Sequence, residues 1–236
     1  MTRVAIFDLD KTLTRHPTFA LWLAWWAVRR APWRLPLLAL FGLLSLGHPL
    51  GLASRGWLKL AGQWLLLGRP RRADVEREAD GFARWTLRTN ACAQGLAAWR
   101  AEQAAGARLV IASASFEYYV AALARRLDGT AAVIATRADW DGDRLATRLD
   151  GPNCYGPAKA QRIRAWLATE ALDSGRARIA VYSDSAADLP ALLLANEPVA
   201  VGPDRRLART ARERGWRVID RAGHTGPDAG TAYRAS

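Results

Sequence analysis

The sequence predicts an α/β protein in which a parallel sheet carries helices on both faces and an all-helical segment follows the first strand. Three observations support this prediction. A short apolar run at 3–9 ends in acidic residues, a second run beginning at Ile179 does the same, and helix and strand patterns alternate from about 91 to 219. Such alternation is typical of parallel sheets covered by helices.

The elements follow in chain order from their apolar periodicity and from the glycines and prolines between them. After the first strand come apolar helices at 19–28, 35–46 and 57–67 and a polar helix at 73–88. The alternating part is predicted as a helix at 93–105, a strand at 108–112, a helix at 117–127, a strand at 131–136, a hairpin at 139–150 and a helix at 157–168. We therefore expect a core at 1–13 and 89–221, a helical insertion at 14–88 and a flexible tail at 222–236.

The composition indicates a globular protein of a reducing compartment. Half of the 236 residues are hydrophobic, which is far too many for a disordered chain. Cys92 and Cys154 show neither zinc-site spacing nor a disulfide framework. No segment near Met1 has the order of a signal peptide. We therefore expect a cytoplasmic protein, with peripheral contact at the inner face of the membrane as a further hypothesis.

The helical insertion is strongly basic and rich in tryptophan. Between Leu13 and Arg72 there is no Asp or Glu, against nine basic residues, and the same stretch holds six of the eleven Trp. Two interpretations stay open: a helical unit with its own apolar core, or a surface at residues 19–67 that contacts anionic membranes. Nucleic acid is not expected as a partner, because the charge is mixed with Trp and Leu runs and not with a polar groove.

One window of the insertion, residues 35–54, carries no formal charge. Its length is close to the roughly 20 residues that a membrane-spanning helix needs. However, prolines and glycines interrupt it, so we predict a poor spanning helix. The flanking Arg and Trp residues instead favour helices that lie in the headgroup region.

Acidic residues end both apolar strands. Asp8-Leu9-Asp10-Lys11-Thr12 places two carboxylates two residues apart, and Asp184 and Asp188 follow the later strand. The carboxyl ends of parallel strands share one edge of an open sheet, so we expect these groups to meet. Because clustered carboxylates repel one another, Mg²⁺ is the simplest counter-ion for such oxygen ligands. Taken alone, the first motif is equally compatible with an ordinary turn.

The same groups suit phosphoryl transfer. One Asp can attack phosphorus to form an aspartyl-phosphate, and a second can protonate the leaving alkoxide and later activate water. Ser113-Ala114-Ser115 follows a strand and offers hydroxyl and N–H groups to phosphate, although alone it is only a helix cap. Lys159 is one of three lysines in an Arg-rich chain and supplies a cation, with a solvated helix-end lysine as the alternative.

These four motifs, in this order, resemble the haloacid dehalogenase (HAD) superfamily, and most closely its subfamily IB of phosphoserine-phosphatase-like proteins. The match covers about residues 3–12 and 91–220. The resemblance implies a Rossmann-like catalytic core and places residues 14–88 where the family carries its helical C1 cap. Caps of this class close over the site, exclude water and select the substrate.

The resemblance implies a role for each acidic residue. Asp8 would be the nucleophile and Asp10 the general acid/base. Mg²⁺ would be bound by Asp8, Asp184 and Asp10, the last through its main-chain carbonyl. Asp188 would support that metal site, and Thr12 would brace Asp8.

The resemblance also implies how phosphate is held. Ser113, Ala114 and Lys159 would bind and neutralise the transferring phosphoryl group, which is mostly an electrostatic task. Whether Ser113 or Ser115 provides the main hydroxyl stays open, and so does the oligomeric state. The predicted activity is Mg²⁺-dependent hydrolysis of a phosphomonoester.

The insertion departs from the phosphoserine phosphatases. Those proteins resemble one another in a Glu nine residues after the nucleophile, whereas this chain has Pro17 there. Arg29-Arg30-Ala31-Pro32 before a Leu-rich run instead resembles the phosphatidylglycerophosphatase C family. A lipid phosphate such as phosphatidylglycerophosphate is therefore the predicted substrate. The alternatives are a small soluble phosphomonoester, or a non-catalytic membrane- or nucleic-acid-binding protein on this scaffold.

Overall fold

The computed structural model describes residues 1–47, 54–172, 175, 177–220 and 225–226. Its strands are β1 (Thr2–Phe7), β2 (Arg108–Phe116), β3 (Ala132–Thr136), β4 (Ala138–Asp141), β5 (Arg144–Leu149), β6 (Ala177–Ser183), β7 (Glu197–Val201), β8 (Arg217–Ile219) and β9 (Thr225–Gly226). Seven of them form one sheet in the order β3-β2-β1-β6-β7-β8-β9, in which all neighbours are parallel except the last pair. The predicted α/β class is confirmed.

The helices of the described residues are α1 (Thr18–Arg30), α2 (Pro36–Leu46), α3 (Arg55–Gly62), α4 (Arg72–Thr89), α5 (Ala93–Ala104), α6 (Glu117–Leu127), α7 (Pro157–Thr169), α8 (Leu189–Leu192) and α9 (Arg205–Glu213). The predicted helix at 57–67 differs, because α3 continues as a π-helical segment, Gln63–Leu67. The predicted strand at 108–112 is also too short. β2 reaches Phe116 after a register shift, so Ser113-Ala114-Ser115 belongs to the strand.

Strand β1 occupies the centre of the sheet. Phe7 pairs with Ile111 of β2 on one side and with Tyr182 of β6 on the other. The residues just beyond these three positions therefore emerge together at one edge. The strand predicted at 3–9 stops at Phe7, although the Asp8 N–H still donates to the Tyr182 carbonyl at 2.9 Å.

Apolar side chains cover both faces of the sheet. One face packs against α7, α8 and α9 through residues such as Ile163, Leu192 and Leu207. The other face packs against α5 and α6, and its core continues without interruption into the helical insertion through Trp22 and Phe82. The insertion is thus packed on the sheet layer, and its division from the core at residues 13 and 89 stays a prediction.

The two ends of the helical insertion meet in a short stem. Thr14 forms an antiparallel bridge with Ala91, and the Cys92 N–H donates to the Leu13 carbonyl at 2.9 Å. On the far side, the β4–β5 hairpin joins the insertion through the Leu145 N–H, which donates to the Pro70 carbonyl at 2.9 Å. The stem and the contact with the hairpin therefore both hold the insertion against the sheet edge.

Two predicted features fall partly outside the described residues. Of the predicted tail at 222–236, only Thr225 and Gly226 are described, and they pair with β8. Of the uncharged window 35–54, residues 48–53 are not described. No helix in the described part of the chain is long and apolar enough to cross a membrane.

A glycine of α5 allows this helix to lie in close contact with the Asp8–Thr12 motif. A Cβ atom at Gly95 would lie 1.9 Å from the Thr12 carbonyl oxygen, which is backbone and cannot move aside as a side chain could. The sequence offered no signal for this contact, because a glycine within a helix reads only as a weak helix former.

We expect Gly95→Ala to destabilise the protein by at least about 3 kcal/mol, because helix and motif would have to separate. Urea unfolding followed by tryptophan fluorescence measures this loss. Gly42→Ala in α2 is the matched control, since apart from its own helix backbone and chain neighbours no atom of the described residues lies within 4 Å of its added Cβ. Helix propensity predicts that the control gains about 0.5–1 kcal/mol. Equal stability of the two variants would contradict the contact.

Candidate active site

The first motif forms a tight turn around one carbonyl group. The Leu9 carbonyl accepts the N–H groups of Leu13 and Thr14, at 2.9 and 3.0 Å, and the Thr14 hydroxyl at 3.1 Å. The Leu9 and Leu13 side chains are buried and anchor the turn in the core. Lys11 adopts φ 63°, a left-handed conformation that is uncommon for a residue with a side chain. This turn leaves the Asp8 and Asp10 carboxylates at the sheet edge.

Lys159 joins the two acidic motifs directly. From the first turn of α7, its Nζ donates to Asp8 Oδ1 and to Asp188 Oδ2, each at 2.7 Å. The Ser183 hydroxyl donates to the same Asp188 oxygen at 2.8 Å. Lys159 and Asp188 are buried, with 4% and 5% of their side chains exposed, and the Asp8 side chain is 11% exposed. The sequence-predicted residues from β1, β6 and α7 therefore come together.

The electrostatics of this cluster leave negative charge uncompensated. Burial raises the pKa of Asp8, Lys159 lowers it, and repulsion from Asp188 and Asp184 raises it again. Burial lowers the pKa of Lys159, but the charges of Asp188 and Asp8 outweigh that effect and raise it overall. Burial also raises the pKa of Asp184 to about 6, against the opposing charge of Lys11. An additional cation would stabilise these carboxylates.

Asp10 is held by hydroxyl groups from two parts of the fold. Its Oδ1 accepts both the N–H and the hydroxyl of Thr18, each at 2.7 Å, and its Oδ2 accepts the Ser115 hydroxyl at 3.0 Å. Thr18 begins helix α1 of the insertion, and Ser115 lies at the end of β2. The sequence reasoning missed Thr18, although its position at a helix start after a proline was a possible signal.

The structure brings Ser113 and Ser115 together without giving them equal roles. The Ser115 N–H donates to the Ser113 hydroxyl oxygen at 3.0 Å, while the Ser115 hydroxyl binds Asp10. Ala114 presents its carbonyl to neighbouring donors. The buried Thr12 hydroxyl makes no hydrogen bond to any described residue, so its bracing of Asp8 stays a prediction.

Comparison with known proteins identifies the family. The sequence model described as haloacid dehalogenase-like hydrolase matches residues 5–193. The chain belongs to this family. The family prediction is therefore confirmed, whereas the likeness of the insertion to phosphatidylglycerophosphatase C stays a prediction.

Several HAD-like relatives share long stretches with the chain. Protein CicA of Caulobacter vibrioides is 34% identical over 197 residues, which cover 81% of this chain and 82% of that protein. Phosphoserine phosphatase SerB1 of Mycobacterium tuberculosis is 37% identical over 116 residues, or 49% of this chain and 37% of that protein. A Streptomyces azureus protein named for inhibition of morphological differentiation is 40% identical over 116 residues, covering 49% and 41%. The chain thus spans less than half the length of the last two.

Solved structures share the fold. A protein of unknown function from Bordetella pertussis Tohama I is 26% identical, with a TM-score of 0.82, and the match covers 94% of this chain and all of that one. A substrate-bound phosphoserine phosphatase is 14% identical, with a TM-score of 0.61 over 89% of this chain and 90% of that one. At that identity, the second likeness shows the HAD fold alone.

The donor set is compatible with a hard divalent cation. Nowhere in the described ranges do three His, Cys, Asp or Glu side chains cluster as a metal site. The predicted ligand set needs only two carboxylates, Asp8 and Asp184, with the Asp10 main-chain carbonyl as the third group. It leaves the Asp10 carboxylate free for its contacts with Thr18 and Ser115. The uncompensated charge of Asp8 and Asp184 fits Mg²⁺.

Lys59 of helix α3 is a second buried cation that the sequence reasoning did not assign. Its Nζ donates to the Ala114 carbonyl, to Asn153 Oδ1 at 2.5 Å and to the Thr136 hydroxyl at 3.5 Å. Only 9% of the residue is exposed. The rarity of lysine, which drew attention to Lys159, applied equally to Lys59.

The surroundings of Lys59 oppose its charge. Burial lowers the pKa of Lys59 to about 8, from an ordinary value of 10.5. Asp10 and Cys154 act in the opposite direction, whereas Lys159 and Arg55 reinforce the decrease. The folded protein therefore releases this proton at a lower pH than the unfolded chain does.

We expect the free energy of unfolding to rise between pH 8 and pH 10 by up to about 3 kcal/mol, because there the unfolded chain holds the Lys59 proton and the folded one does not. Urea unfolding at four pH values compares wild type with Lys59→Met, which should lack this rise. Gln63→Met should keep it, since Gln63 is also buried in the insertion and binds the Ala146 carbonyl instead. Parallel curves for wild type and Lys59→Met would show that the pKa of Lys59 is not lowered.

Proposed function

We propose that the protein hydrolyses phosphomonoesters through a phosphorylated Asp8, with Mg²⁺ as cofactor. The observation that supports this most is the buried Lys159, which binds the Asp8 and Asp188 carboxylates at once. Beside them, Asp10 is held by Thr18 and Ser115 at the same sheet edge. In the proposed roles, these residues would supply the nucleophile, the proton carrier and the phosphate-binding cation that phosphoryl transfer requires.

In the first half of the proposed reaction, an Asp8 oxygen attacks phosphorus and the bond from phosphorus to the leaving alkoxide breaks. Lys159 already contacts Oδ1, while among the described residues no group donates to Oδ2, so we assign Oδ2 as the attacking atom of this proposal. Asp10 gives its proton to the alkoxide. Lys159 and the Ser113 hydroxyl neutralise and orient the phosphoryl oxygens.

In the second half, water attacks the phosphorus of the aspartyl-phosphate. The Asp10 carboxylate takes the proton of that water, and the bond from phosphorus to Asp8 breaks to release inorganic phosphate. The two hydroxyl partners of Asp10 can turn as it gains and loses its proton, since a hydroxyl group both donates and accepts.

The proposed Mg²⁺ would be bound by Asp8, Asp184 and the main-chain carbonyl of Asp10. The ion would supply positive charge to the phosphate oxygens and so reduce their repulsion of the Asp8 carboxylate. Asp188 would act indirectly, because its carboxylate fixes Lys159 and accepts the Ser183 hydroxyl.

We expect Asp8→Asn to lower the turnover of p-nitrophenyl phosphate in Mg²⁺ by at least about 10³-fold, because the amide cannot attack phosphorus. Asp10→Asn should lose about 10²- to 10⁴-fold through the missing proton transfer. Asp143→Asn on the exposed hairpin should match wild type. Substantial turnover by folded Asp8→Asn would refute the assignment of the nucleophile.

The substrate class that we propose is a lipid phosphate, reached at an anionic membrane surface. The supporting feature is helix α2, Pro36–Leu46, whose side chains are almost all apolar: Leu37, Leu38 and Phe41 pack partly buried against the core, whereas Leu40, Leu43 and Leu46 are exposed. Eight of the ten exposed large hydrophobic residues among the described ones lie between Val28 and Trp64. A helix that is apolar all round normally requires a protein partner or lipid.

The charge around this apolar surface is less basic than the sequence alone suggests. Arg29 and Arg30 pair with Glu78 and Asp74 of α4, so their charges are locally compensated. By contrast, Arg34 and Arg55 form no ion pair with any described residue and flank α2 in the chain. These two cations beside exposed Trp33 and Trp57 are suited to anionic headgroups.

Some tryptophans of the insertion are buried in a core and others are exposed at its surface, so each interpretation of the insertion has residues that support it. Trp22 and Trp26 are buried in its core, whereas Trp33, Trp57 and Trp64 are at least half exposed. The insertion thus has its own core, as one interpretation expected, and also an apolar surface available to a membrane. Contact at the inner face of the membrane is therefore part of this proposal.

A small soluble phosphomonoester is the alternative substrate, and relatives with phosphoserine phosphatase in their names favour it. Against phosphoserine itself, Pro17 replaces the acid expected to bind an ammonium group, and the insertion supplies no acid before Asp74. A non-catalytic role is less favoured, because every catalytic position is filled.

We expect the protein to co-sediment with vesicles that contain phosphatidylglycerol and to hydrolyse phosphatidylglycerophosphate faster than phosphoserine. The double variant Leu43→Gln/Leu46→Gln should reduce vesicle binding about tenfold with little change in stability, since both side chains are about two-thirds exposed. Leu193→Gln, equally conservative and 55% exposed outside the insertion, is the control. Equal binding by both variants, or a preference for soluble phosphates, would contradict the lipid assignment.

A further inference from the structure

Lys59 crosses from the helical insertion to three separate segments of the sheet layer. Its acceptors are the Ala114 carbonyl near the end of β2, the Thr136 hydroxyl at the end of β3 and Asn153 in the loop before α7. We infer that Lys59 is a positioning residue through which the insertion fixes the Ser113–Ser115 segment for phosphate binding. This inference deepens the proposed function and rests on it for its kinetic part.

Lys59 acts on the Ser113–Ser115 segment through the peptide group between Ala114 and Ser115. Its carbonyl accepts Lys59 and the Thr136 hydroxyl, the latter at 2.6 Å. Its N–H, at the opposite end of the same plane, donates to the Ser113 hydroxyl oxygen at 3.0 Å. With both ends bound, this peptide cannot rotate without breaking contacts on two sides. The orientation of this peptide group therefore determines the direction of the Ser113 hydroxyl.

The same peptide group is also connected to Asp10, the proposed proton carrier, through Ser115. Ser115 contributes its N–H to Ser113 and its hydroxyl to Asp10. A displacement of the Ala114 carbonyl would therefore shift both the phosphate-binding hydroxyl and one of the partners of Asp10. Thr18, the other partner, also belongs to the insertion. Lys59 and Thr18 thus provide two contacts from the insertion, one to the Ala114 carbonyl and one to Asp10.

The chemistry of the Lys59 site argues against a role in stability alone. Among the described residues, none of its hydrogen-bond acceptors is a carboxylate, and the buried ammonium binds only neutral oxygens there. Such burial is unfavourable compared with an apolar side chain of the same length. Phe116 lies below the ammonium, with its ring centroid 6.0 Å away, and would pack as well against a methionine. A charge retained at this cost is better explained by a task in the site.

Three variants test the inference. Lys59→Met removes the donors and keeps the apolar stem, and Lys59→Arg keeps a cation with several donors. Gln63→Met is the matched control, because it removes another buried contact between insertion and sheet layer, the 2.9 Å bond to the Ala146 carbonyl, without touching Ala114. Thermal unfolding of each variant establishes that it is folded.

The first measurement needs no substrate. Amide hydrogen exchange, resolved at residues 113–116, should show the Ser115 N–H exchanging at least about tenfold faster in Lys59→Met than in wild type. Gln63→Met should leave this exchange unchanged, and Lys59→Arg should restore most of the protection. Unchanged exchange in Lys59→Met would overturn the inference, whatever the activity of the protein.

The second measurement is steady-state hydrolysis of p-nitrophenyl phosphate. Lys59→Met should lower kcat by about 10–100-fold with a smaller change in KM, Lys59→Arg should recover part of kcat, and Gln63→Met should match wild type. An unchanged kcat in Lys59→Met, or an equal loss in Gln63→Met, would overturn the positioning role. If wild type hydrolyses no phosphomonoester, the proposed function fails, and the exchange of the Ser115 N–H alone decides the inference.

Discussion

The buried contact of Lys159 with Asp8 and Asp188 is the interaction on which the rest of the site depends. A buried ion pair that loses one partner typically costs about 3–5 kcal/mol, so each member requires the other two. This requirement fixes the relation of β1, which delivers Asp8, to β6 and α7. The sheet order and this cluster of charges are therefore one constraint: β1 must lie beside β6, because Asp8 follows β1, Asp188 follows β6, and both bind Lys159.

The helical insertion contributes polar contacts to the residues at this sheet edge. Thr18 at the start of α1 binds Asp10, and Lys59 of α3 binds the Ala114 carbonyl. Both contacts come from a segment whose own core is continuous with the sheet layer. A rigid attachment of this kind suits groups that must hold a carboxylate and a peptide in fixed directions. Helix α2 has no fully buried residue and packs on this core through Leu37, Leu38 and Phe41.

The sequence allowed much of this architecture to be predicted. The carboxyl ends of parallel strands lie at the same edge of a sheet, however many residues separate the strands in the chain. Asp8 and Asp184 could thus be placed together without coordinates, whereas Lys159, which lies on helix α7, was added by the resemblance to the family. Contacts made by side chains across the insertion could not, since helical periodicity does not reveal which neighbour a face meets. Lys59 therefore went unassigned, and the exposed and buried tryptophans could not be separated. The role of Gly95 could not be predicted for a related reason, because a close approach of two backbones leaves no pattern in the sequence of either segment.

The central place of β1 also shapes how the chain must fold. Val4 pairs with Arg108, and Thr2 pairs with Ala177, so the whole insertion is synthesised before the first neighbouring strand exists. Contacts so distant in sequence slow folding, because long loops have to close before they stabilise anything. During that interval α2 and its exposed leucines are already present on the nascent chain. An unfinished chain therefore exposes apolar surface for as long as β1 lacks its neighbours, and such surface favours aggregation.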